Sequence, residues 1–259
     1  MKNFLLSLLL ASSCAATASA ADWGTIKGKF TYDGDAPKSD KIQVTKDVQF
    51  CGKHNLKVEE LIVNPKNNGI ANVVVYLYQK RNAKPPKIHP DYEETEKADV
   101  VLDNENCRFE PHIALVRTSQ TLIIGNKDPI AHNASLAMLA NPPSNNIIPA
   151  GGEGKATFKK PETLPVTVKC DVHPWMTAKL VVKNHPYMAI TDQDGNFEIK
   201  NMPVGKHTLQ FWHEKCGYVK EAKNGGKTVK IKRGRLELTV KKGDNDLGEY
   251  KLSTVFKGK

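Results

Sequence analysis

Lys169-Cys170-Asp171-Val172-His173-Pro174-Trp175-Met176 places a thiolate, an imidazole and a thioether at intervals of three residues. These are soft and borderline ligands, a combination that suits copper. A second imidazole, that of His132, stands upstream at the end of an apolar run. We therefore predict that His132, Cys170, His173 and Met176 bind one copper ion per chain, and that the rest of the chain is organised around them.

Each of these side chains has a commoner role when it occurs alone. A histidine that ends an apolar strand is usually structural, and a solitary cysteine usually packs in the core or forms a disulfide. The four together, as a set of soft and borderline ligands, favour copper. The other histidines lack this context and are predicted to be surface or packing residues, with His112 as the first reserve for a ligand or for a group that supports one. They are His54, His89, His112, His185, His207 and His213.

Short β-strands are predicted on both sides of the ligand stretch, because runs rich in β-branched and aromatic residues alternate with turn residues. One such run, 166–169, leads directly into Cys170. Two ligands on one tight loop and a third from a neighbouring strand would form a rigid cradle. Such a cradle changes little between Cu(I) and Cu(II), so electron transfer needs little reorganisation. The other predicted strands nearby are 114–117, 121–124, 156–159 and 179–182.

Residues 99–183 resemble a cupredoxin, the β-sandwich family of plastocyanin and azurin. The resemblance rests on order as well as motif, because Phe109-Glu110-Pro111 precedes the strands, His132-Asn133 follows them, and the Cys170 loop stands before the last strand. It implies a Greek-key β-sandwich whose two imidazoles and thiolate form a trigonal copper site, with Met176 as a weak axial ligand. It also implies that the backbone amide of Asn133 donates a hydrogen bond to the Cys170 sulfur.

One departure from that family concerns Met176. Plastocyanin-like loops leave more residues between the second histidine and the methionine, whereas only Pro174 and Trp175 intervene here. The spacing resembles the copper loop of cytochrome oxidase subunit II, but that dinuclear centre needs two cysteines and this loop has one. Three outcomes stay open: Met176 binds closely, binds weakly, or leaves a position for water. Trp175 is predicted to be a packing residue in preference to part of an electron-entry surface.

A second β-sandwich is predicted from the two ends of the chain. Residues 188–199 predict a hairpin with an Asp-Gly turn, followed by Pro203-Val204-Gly205. This pattern resembles the carboxypeptidase-regulatory, transthyretin-like β-sandwich. The strands that normally precede such a hairpin occur far upstream, at residues 24–28 and 71–77, so we expect the cupredoxin-like segment to be inserted into this sandwich. The alternative is three consecutive β units. The predicted divisions are a signal at 1–20, a discontinuous sandwich at 21–95 plus 184–259, and the cupredoxin-like domain at 96–183.

Residues 1–20 predict a secretory signal, because Lys2 precedes an apolar stretch that ends in the small residues Ala18-Ser19-Ala20. Cleavage is expected after Ala20, and lipidation of Cys14 is the less favoured alternative. No later stretch approaches the roughly 20 apolar residues of a transmembrane helix. We therefore expect a soluble protein that is periplasmic or secreted.

The chain is basic, with a formal net charge of +10. Many cationic residues lie in predicted strands and turns such as 227–235, which favours a solvated basic face over a nucleic-acid site. Exported proteins seldom meet nucleic acid, and no binding motif for it occurs. An acidic redox partner protein or an anionic membrane surface would also fit such a face.

Four cysteines lie beyond the signal: Cys51, Cys107, Cys170 and Cys216. In an oxidising compartment an unpaired thiol persists only if a metal or burial protects it. With Cys170 assigned to the metal, we favour a disulfide between Cys51 and Cys107, with Cys216 as a buried thiol. Sequence alone leaves other pairings open.

These predictions favour an exported mononuclear copper protein that exchanges electrons with a redox protein partner, and they favour a carrier over an enzyme. No nucleophile with a neighbouring base, phosphate loop or pair of carboxylates stands out. One alternative is an enzyme or sensor whose copper is open to a small ligand such as nitric oxide or peroxide. The other is a metal-free adhesion or carbohydrate-binding β-sandwich in which Cys170 forms a disulfide.

Overall fold

A computed structural model describes residues 23–80, 83–252 and 256, and the predicted signal with its cleavage site lies outside them. Strands dominate the described chain, so the predicted all-β class is confirmed. The one α-helix within these residues is α1 (Val48–Cys51), and three short 3-10 turns cover Gly52–His54, Pro90–Tyr92 and Lys232–Gly234. The strands are β1 (Trp23–Tyr32), β2 (Val74–Leu77), β3 (Val100–Glu105), β4 (Arg108–Glu110), β5 (Ile113–Arg117), β6 (Thr121–Asn126), β7 (His132–Leu136), β8 (Ser144–Ile148), β9 (Glu153–Thr157), β10 (Val166–Lys169), β11 (Thr177–Lys183), β12 (Met188–Ile190), β13 (Asn196–Pro203), β14 (Gly205–His213), β15 (Gly217–Tyr218), β16 (Glu221–Asn224), β17 (Lys227–Lys230), β18 (Arg235–Val240) and β19 (Gly243–Leu252).

The first sandwich carries residues 170–176, the loop with Cys170, His173 and Met176 that is here called the ligand loop. Its sheets have the strand orders β5-β11-β10-β7-β8 and β4-β3-β6-β9, and both contribute side chains to one core. Strands β10 and β11 pair antiparallel as far as Lys169 and Thr177, so residues 170–176 form the loop at the end of that pair. Ser135 of β7 lies opposite Lys169. This register brings His132, the first residue of β7, alongside the loop.

The second sandwich is built from both ends of the chain. Its sheets have the orders β13-β1-β19-β16-β17 and β12-β2-β14-β15, with β18 also paired to β14. Strands β1 and β2 precede the first sandwich in sequence and the others follow it. Val75 of β2 shares a core with Phe30, Phe197 and Phe211. Strands β1 and β2 therefore pair with β13 and β14, which follow the first sandwich in sequence.

Strand β2 is buried along its whole length because each of its faces meets a different core. Val75 and Leu77 point into the second sandwich. Val74 and Tyr76 join a smaller apolar cluster with Ile113 and Val181 of the first sandwich and Trp212 of β14. Burial on both faces explains the continuous apolar run in this strand, since a strand with one wet face alternates apolar and polar residues.

Two local predictions were wrong. Residues 188–199 form no hairpin, because β12 pairs with β2 whereas β13 pairs with β1. The turn between them passes the chain from one sheet to the other, and it packs so closely that a Cβ on Gly195 would lie 2.0 Å from the Phe30 carbonyl oxygen. The alternation of Ile42, Gln43 and Val44 also predicts a short strand, but none forms there, and the Ile42 amide donates to the Leu56 carbonyl of a loop.

Residues 38–62, here called the cover segment, pack mostly on the first sandwich, whereas Leu61 near their end packs against the second. Cys51 and Leu56 enter the core of the first sandwich, and Ile42, Val44 and Phe50 pack against it. A disulfide joins Cys51 to Cys107 with an S–S distance of 2.00 Å, which confirms the favoured bridge. In the described part of the chain, no helix is both long and apolar enough to cross a membrane.

Candidate metal centre

The structure brings His132, Cys170 and His173 together at the rim of the first sandwich. The Cys170 Sγ lies 3.9 Å from His132 Nδ1 and 3.8 Å from His173 Nδ1. One ligand atom from each residue falls within 4.8 Å of the other two. The imidazoles are fully buried and the thiol is 2% exposed. Three of the four sequence-predicted ligands thus form one compact group with both Nδ1 atoms facing the sulfur.

Met176 closes the same loop. Its amide donates to the carbonyl of His173 at 2.9 Å, and its own carbonyl accepts from the Cys170 amide at 3.1 Å. The side chain is buried in the core that also contains Cys170. These bonds hold residues 170–176 in a tight turn, so the sulfur, the imidazole and the thioether are presented by one constrained loop.

Asn133 fixes this loop to β7. Its backbone amide donates to the Cys170 sulfur at 3.5 Å, which confirms the contact implied by the cupredoxin resemblance. Its side-chain oxygen accepts from the amides of Asp171 at 2.7 Å and Val172 at 3.2 Å. Its side-chain nitrogen donates to the Asp171 carboxylate at 2.9 Å. Asn133 therefore ties the loop directly to the strand that begins with His132.

Two carboxylates orient the histidines from outside the cluster. His132 Nε2 lies 2.9 Å from Asp128 Oδ2, and His173 Nε2 lies 2.7 Å from Asp47 Oδ2. In a neutral imidazole, a carboxylate that accepts the Nε2 proton leaves the lone pair on Nδ1, which here is the atom that faces Cys170. Sequence reasoning missed both residues. The spacing of four residues between Asp128 and His132 was an available signal, but nothing in the sequence linked Asp47 to His173.

The electrostatics of the cluster favour the thiolate. Burial raises the pKa of Cys170, but the hydrogen bonds with His132 and the Asn133 amide outweigh it, and the pKa lies below its usual value. Burial lowers the pKa of His132, and the contacts with Asp128 and Cys170 more than compensate, raising it to about 9. Burial dominates at His173 and lowers its pKa. The thiolate is the form of cysteine that binds metals.

A second group of potential ligand atoms contains Cys107, Asp128 and His132. Cys107 is bonded to Cys51, so its sulfur is not a thiolate donor. Asp128 holds His132 and also accepts the amides of Asn106 and Cys107. Among the described residues, the group around Cys170 is therefore the one with a complete set of soft donors.

His112, the reserve ligand, lies outside the cluster. Its Nε2 is 2.6 Å from Glu214 Oε2, and its Nδ1 is 3.6 Å from Glu59 Oε2. Arg108 and Lys179 pair with the same two carboxylates. This network joins the cover segment, the first sandwich and the residue that follows β14, so His112 connects parts of the fold.

The His112 network predicts a pH-dependent stability. Burial lowers the pKa of His112, but Glu214 and Glu59 raise it to about 9 from an ordinary value of 6.5. Protonated His112 therefore stabilises the fold fully below about pH 6.5, and this contribution is lost as the pH rises through about 9. We expect His112→Gln to cost about 3 kcal/mol more at about pH 6 than at about pH 10. Urea unfolding of both proteins at both pH values measures the difference; a pH-independent cost would contradict it.

Trp175 has a packing role and also reaches the cluster. Its Nε1 donates to the Cys107 carbonyl at 3.1 Å, and its ring centroid lies 5.3 Å from that of His173. The His132 and His173 rings are themselves 4.6 Å apart. The indole is partly exposed. An aromatic path therefore runs from the buried imidazoles to the surface.

The fold and the cluster define an all-β protein with a buried group of soft ligands at the rim of one sandwich. Solved structures similar to part of the chain include a copper-containing nitrite reductase from Thermus scotoductus SA-01, at 20% identity and a TM-score of 0.29 over 40% of this chain and 24% of that one. A reduced amicyanin variant matches at 19% identity and a TM-score of 0.30, over 33% of this chain and 82% of the amicyanin chain. A purple cupredoxin from Nitrosopumilus maritimus matches at 17% identity and a TM-score of 0.28, over 34% of this chain and 100% of the cupredoxin chain.

This chain thus spans about a quarter of the nitrite reductase chain. No protein-family profile and no curated protein sequence matches it.

Proposed function

We propose that this protein binds one copper ion through His132, Cys170, His173 and Met176 and carries electrons. The observation that supports it most is the buried triangle of one thiolate and two Nδ1 atoms. Metal–sulfur and metal–nitrogen bonds of about 2.3 and 2.0 Å at about 120° would separate sulfur from nitrogen by about 3.7 Å. The separations here are 3.9 and 3.8 Å. The donor set fits a single trigonal ion with little movement.

Copper at this position would supply a one-electron redox couple. The residues of the chain would keep its surroundings constant during the exchange. Asn133 holds the ligand loop, and Asp47 and Asp128 hold the rings. Soft sulfur favours Cu(I) and imidazole tolerates both oxidation states, while burial and hydrogen bonds to sulfur tune the potential. The Trp175 ring offers an electron path to the surface.

The wider setting of this function is also a proposal. Residues 1–20 would direct export to the periplasm or the medium, and the partner would be a redox protein, with an acidic one favoured by the +10 charge. The second sandwich, at 21–95 plus 184–259, would be carboxypeptidase-regulatory-like and would orient the copper domain, at 96–183. The pairing of β1 and β2 with strands beyond residue 184 supports that division.

Copper titration of the purified protein tests the proposal. We expect one copper per chain, an intense thiolate-to-copper absorption in the Cu(II) form, and reversible one-electron reduction. Electron paramagnetic resonance of wild type and Met176→Leu then reports whether the thioether is an axial ligand, because loss of an axial sulfur alters the copper hyperfine pattern. A colourless Cu(II) form of the wild type would overturn the proposal.

A second candidate function is supported by a cavity beside the ligand loop. The cavity has a volume of about 600 Å³, and Trp175, Met176, His54 and His112 are among the residues that line it. The buried His54 Nε2 atom has no hydrogen-bond partner there, whereas His112 Nδ1 lies 3.6 Å from Glu59 Oε2. If Met176 does not bind copper, a small ligand could approach from this side, as in an enzyme or sensor. Titration with nitric oxide or peroxide distinguishes the two, because a carrier with a closed site keeps its copper spectrum.

The metal-free adhesion alternative required Cys170 in a disulfide. The structure pairs Cys51 with Cys107 and leaves Cys170 outside any disulfide. This arrangement supports the copper proposal. A thiol count on the metal-free protein checks it directly, since a blocked Cys170 would favour the alternative.

A further inference from the structure

Both carboxylates that orient the ligand histidines are linked to the Cys51–Cys107 disulfide, one through helix α1 and the other through a hydrogen bond. Asp47 lies in the cover segment, immediately before α1, and α1 ends at Cys51. Asp128 accepts the backbone amide of Cys107. The Cys51–Cys107 disulfide therefore joins the segment that contains Asp47 to the turn whose backbone is held by Asp128.

On the His132 side, the disulfide is part of a strained turn. Asn106 and Cys107 connect β3 to β4 and have φ values of 57° each. A two-residue turn with both φ values positive is the usual hairpin connection. Asparagine is common at its first position, as here, but the second position normally holds glycine, and the cysteine at 107 costs free energy there. Asp128 accepts both amides of this turn, at 2.6 and 2.8 Å, through the same carboxylate that contacts His132. The turn and the carboxylate thus hold each other in place.

On the His173 side, the disulfide restrains a short helix. Helix α1 has four residues, too few to be stable alone. The Asp47 carbonyl accepts the amides of Phe50 and Cys51 at 2.9 Å each, so Asp47 is tied to the residue that forms the bridge. Trp175, which belongs to the ligand loop, donates to the Cys107 carbonyl at the other end of the bridge. A shift of this bond would move groups on both sides of His173.

We propose that Asp47, Asp128 and the Cys51–Cys107 disulfide form one positioning unit that sets the orientation of both ligand histidines. The inference rests on the proposed copper function and adds a specific residue, Asp47, that comes from the cover segment and closes over His173. Its consequence is that the disulfide tunes the metal centre as well as stabilising the fold.

The first test concerns Asp47. The residue has φ 47° and ψ 41°, a left-handed conformation that glycine and asparagine both adopt readily. Asp47→Gly therefore removes the carboxylate without backbone strain, and Asp47→Asn removes the charge but keeps an acceptor oxygen. We expect Asp47→Gly to weaken Cu(II) binding by about 10- to 100-fold. Each tenfold loss that spares Cu(I) raises the reduction potential by about 59 mV. Asp47→Asn should lie between Asp47→Gly and the wild type.

The second test concerns the disulfide. Replacing Cys51→Ala and Cys107→Ala together should raise the potential and change the copper resonance spectrum in the same direction as Asp47→Gly. In the Asp47→Gly background the same replacement should add less than it does in the wild type, because the two changes act through one unit. Should the double variant not fold, two glycines inserted after Phe50 replace it: they leave the bond intact but free Asp47 from it.

A matched control separates positioning from stability. Leu122→Ala creates a cavity in the same core, where Leu122 is fully buried, without touching either carboxylate. It should lower the unfolding free energy and leave the potential unchanged. A disulfide variant that behaves like Leu122→Ala would overturn the inference. An unchanged potential in Asp47→Gly would do the same.

Failure of the inference and failure of the copper proposal give different results. The wild type is measured first, and absence of its thiolate-to-copper absorption would reject the proposed function whatever the variants do. The metal-free protein offers an independent readout. Nitrogen NMR of its imidazoles should find the His173 proton on Nε2 in the wild type and a mixture of tautomers in Asp47→Gly. A wild-type tautomer that persists in Asp47→Gly would count against the positioning role.

Discussion

Cys170→Ser should abolish the thiolate-to-copper absorption and weaken Cu(I) binding by more than about 100-fold. Loss of a residue that merely supports a ligand costs about 10- to 100-fold in metal affinity, and here the ligand itself is lost. A hydroxyl is a hard donor that does not replace a soft sulfur on Cu(I). The fold should persist, because the Asn133 side-chain oxygen lies 3.4 Å from the Cys170 sulfur and can accept the serine hydroxyl.

Cys216→Ser provides the matched control. Cys216 is also buried, but it packs in the core of the second sandwich. Its replacement should leave the copper stoichiometry, absorption and potential unchanged. Both variants are compared by competitive Cu(I) titration and visible spectroscopy. If Cys170→Ser kept the wild-type absorption, the thiolate would not be a ligand.

Phe30→Ala should lower the free energy of unfolding by about 3–5 kcal/mol, the largest stability loss that we predict for this protein. Phe30 is fully buried in β1, and its ring centroid lies 5.7 Å from Phe197, 5.2 Å from Phe211 and 5.4 Å from Tyr250. These partners lie on strands of both sheets of the second sandwich. Truncation therefore leaves a cavity where the two ends of the chain meet, and the packing loss is added to the transfer cost of the ring.

Urea unfolding followed by tryptophan fluorescence measures this loss. Val204→Ala, at a side chain 37% exposed in the same sandwich, is the control and should change the unfolding free energy by less than about 0.5 kcal/mol. A cost below about 1 kcal/mol for Phe30→Ala would show that the two chain ends do not share a tightly packed core.

The local part of the candidate site could be predicted from sequence. Cys170 and His173 lie on one loop, and the strand pattern around them indicated that β7 would bring His132 to the same rim. Such inferences use short-range spacing and strand periodicity, which survive in the sequence. The all-β class followed in the same way from the many short runs of β-branched and aromatic residues.

The groups that support the site could not be predicted in this way. Asp47 and His173 are separated by 126 residues, and no local pattern relates them. The wrong hairpin at residues 188–199 has a similar cause: the Asp-Gly turn was identified, but the choice of partner strand depends on β1 and β2 from the other end of the chain. Long-range pairing and burial decide these features, and neither leaves a periodic signal.

The parallel pairing of β1 with β19 has a consequence for how the chain folds. Gly24 lies opposite Gly243 and Tyr32 opposite Leu252, so the first described strand finds this neighbour only in the last one. Contacts between such distant residues slow folding, because the chain loses the entropy of closing a long loop before the contacts contribute favourable free energy. Until β19 has been synthesised, one edge of β1 lacks its neighbour and is open to pairing with other chains. The second sandwich therefore cannot be completed before β19 has been synthesised, and chaperones that shield strand edges would matter most during that interval.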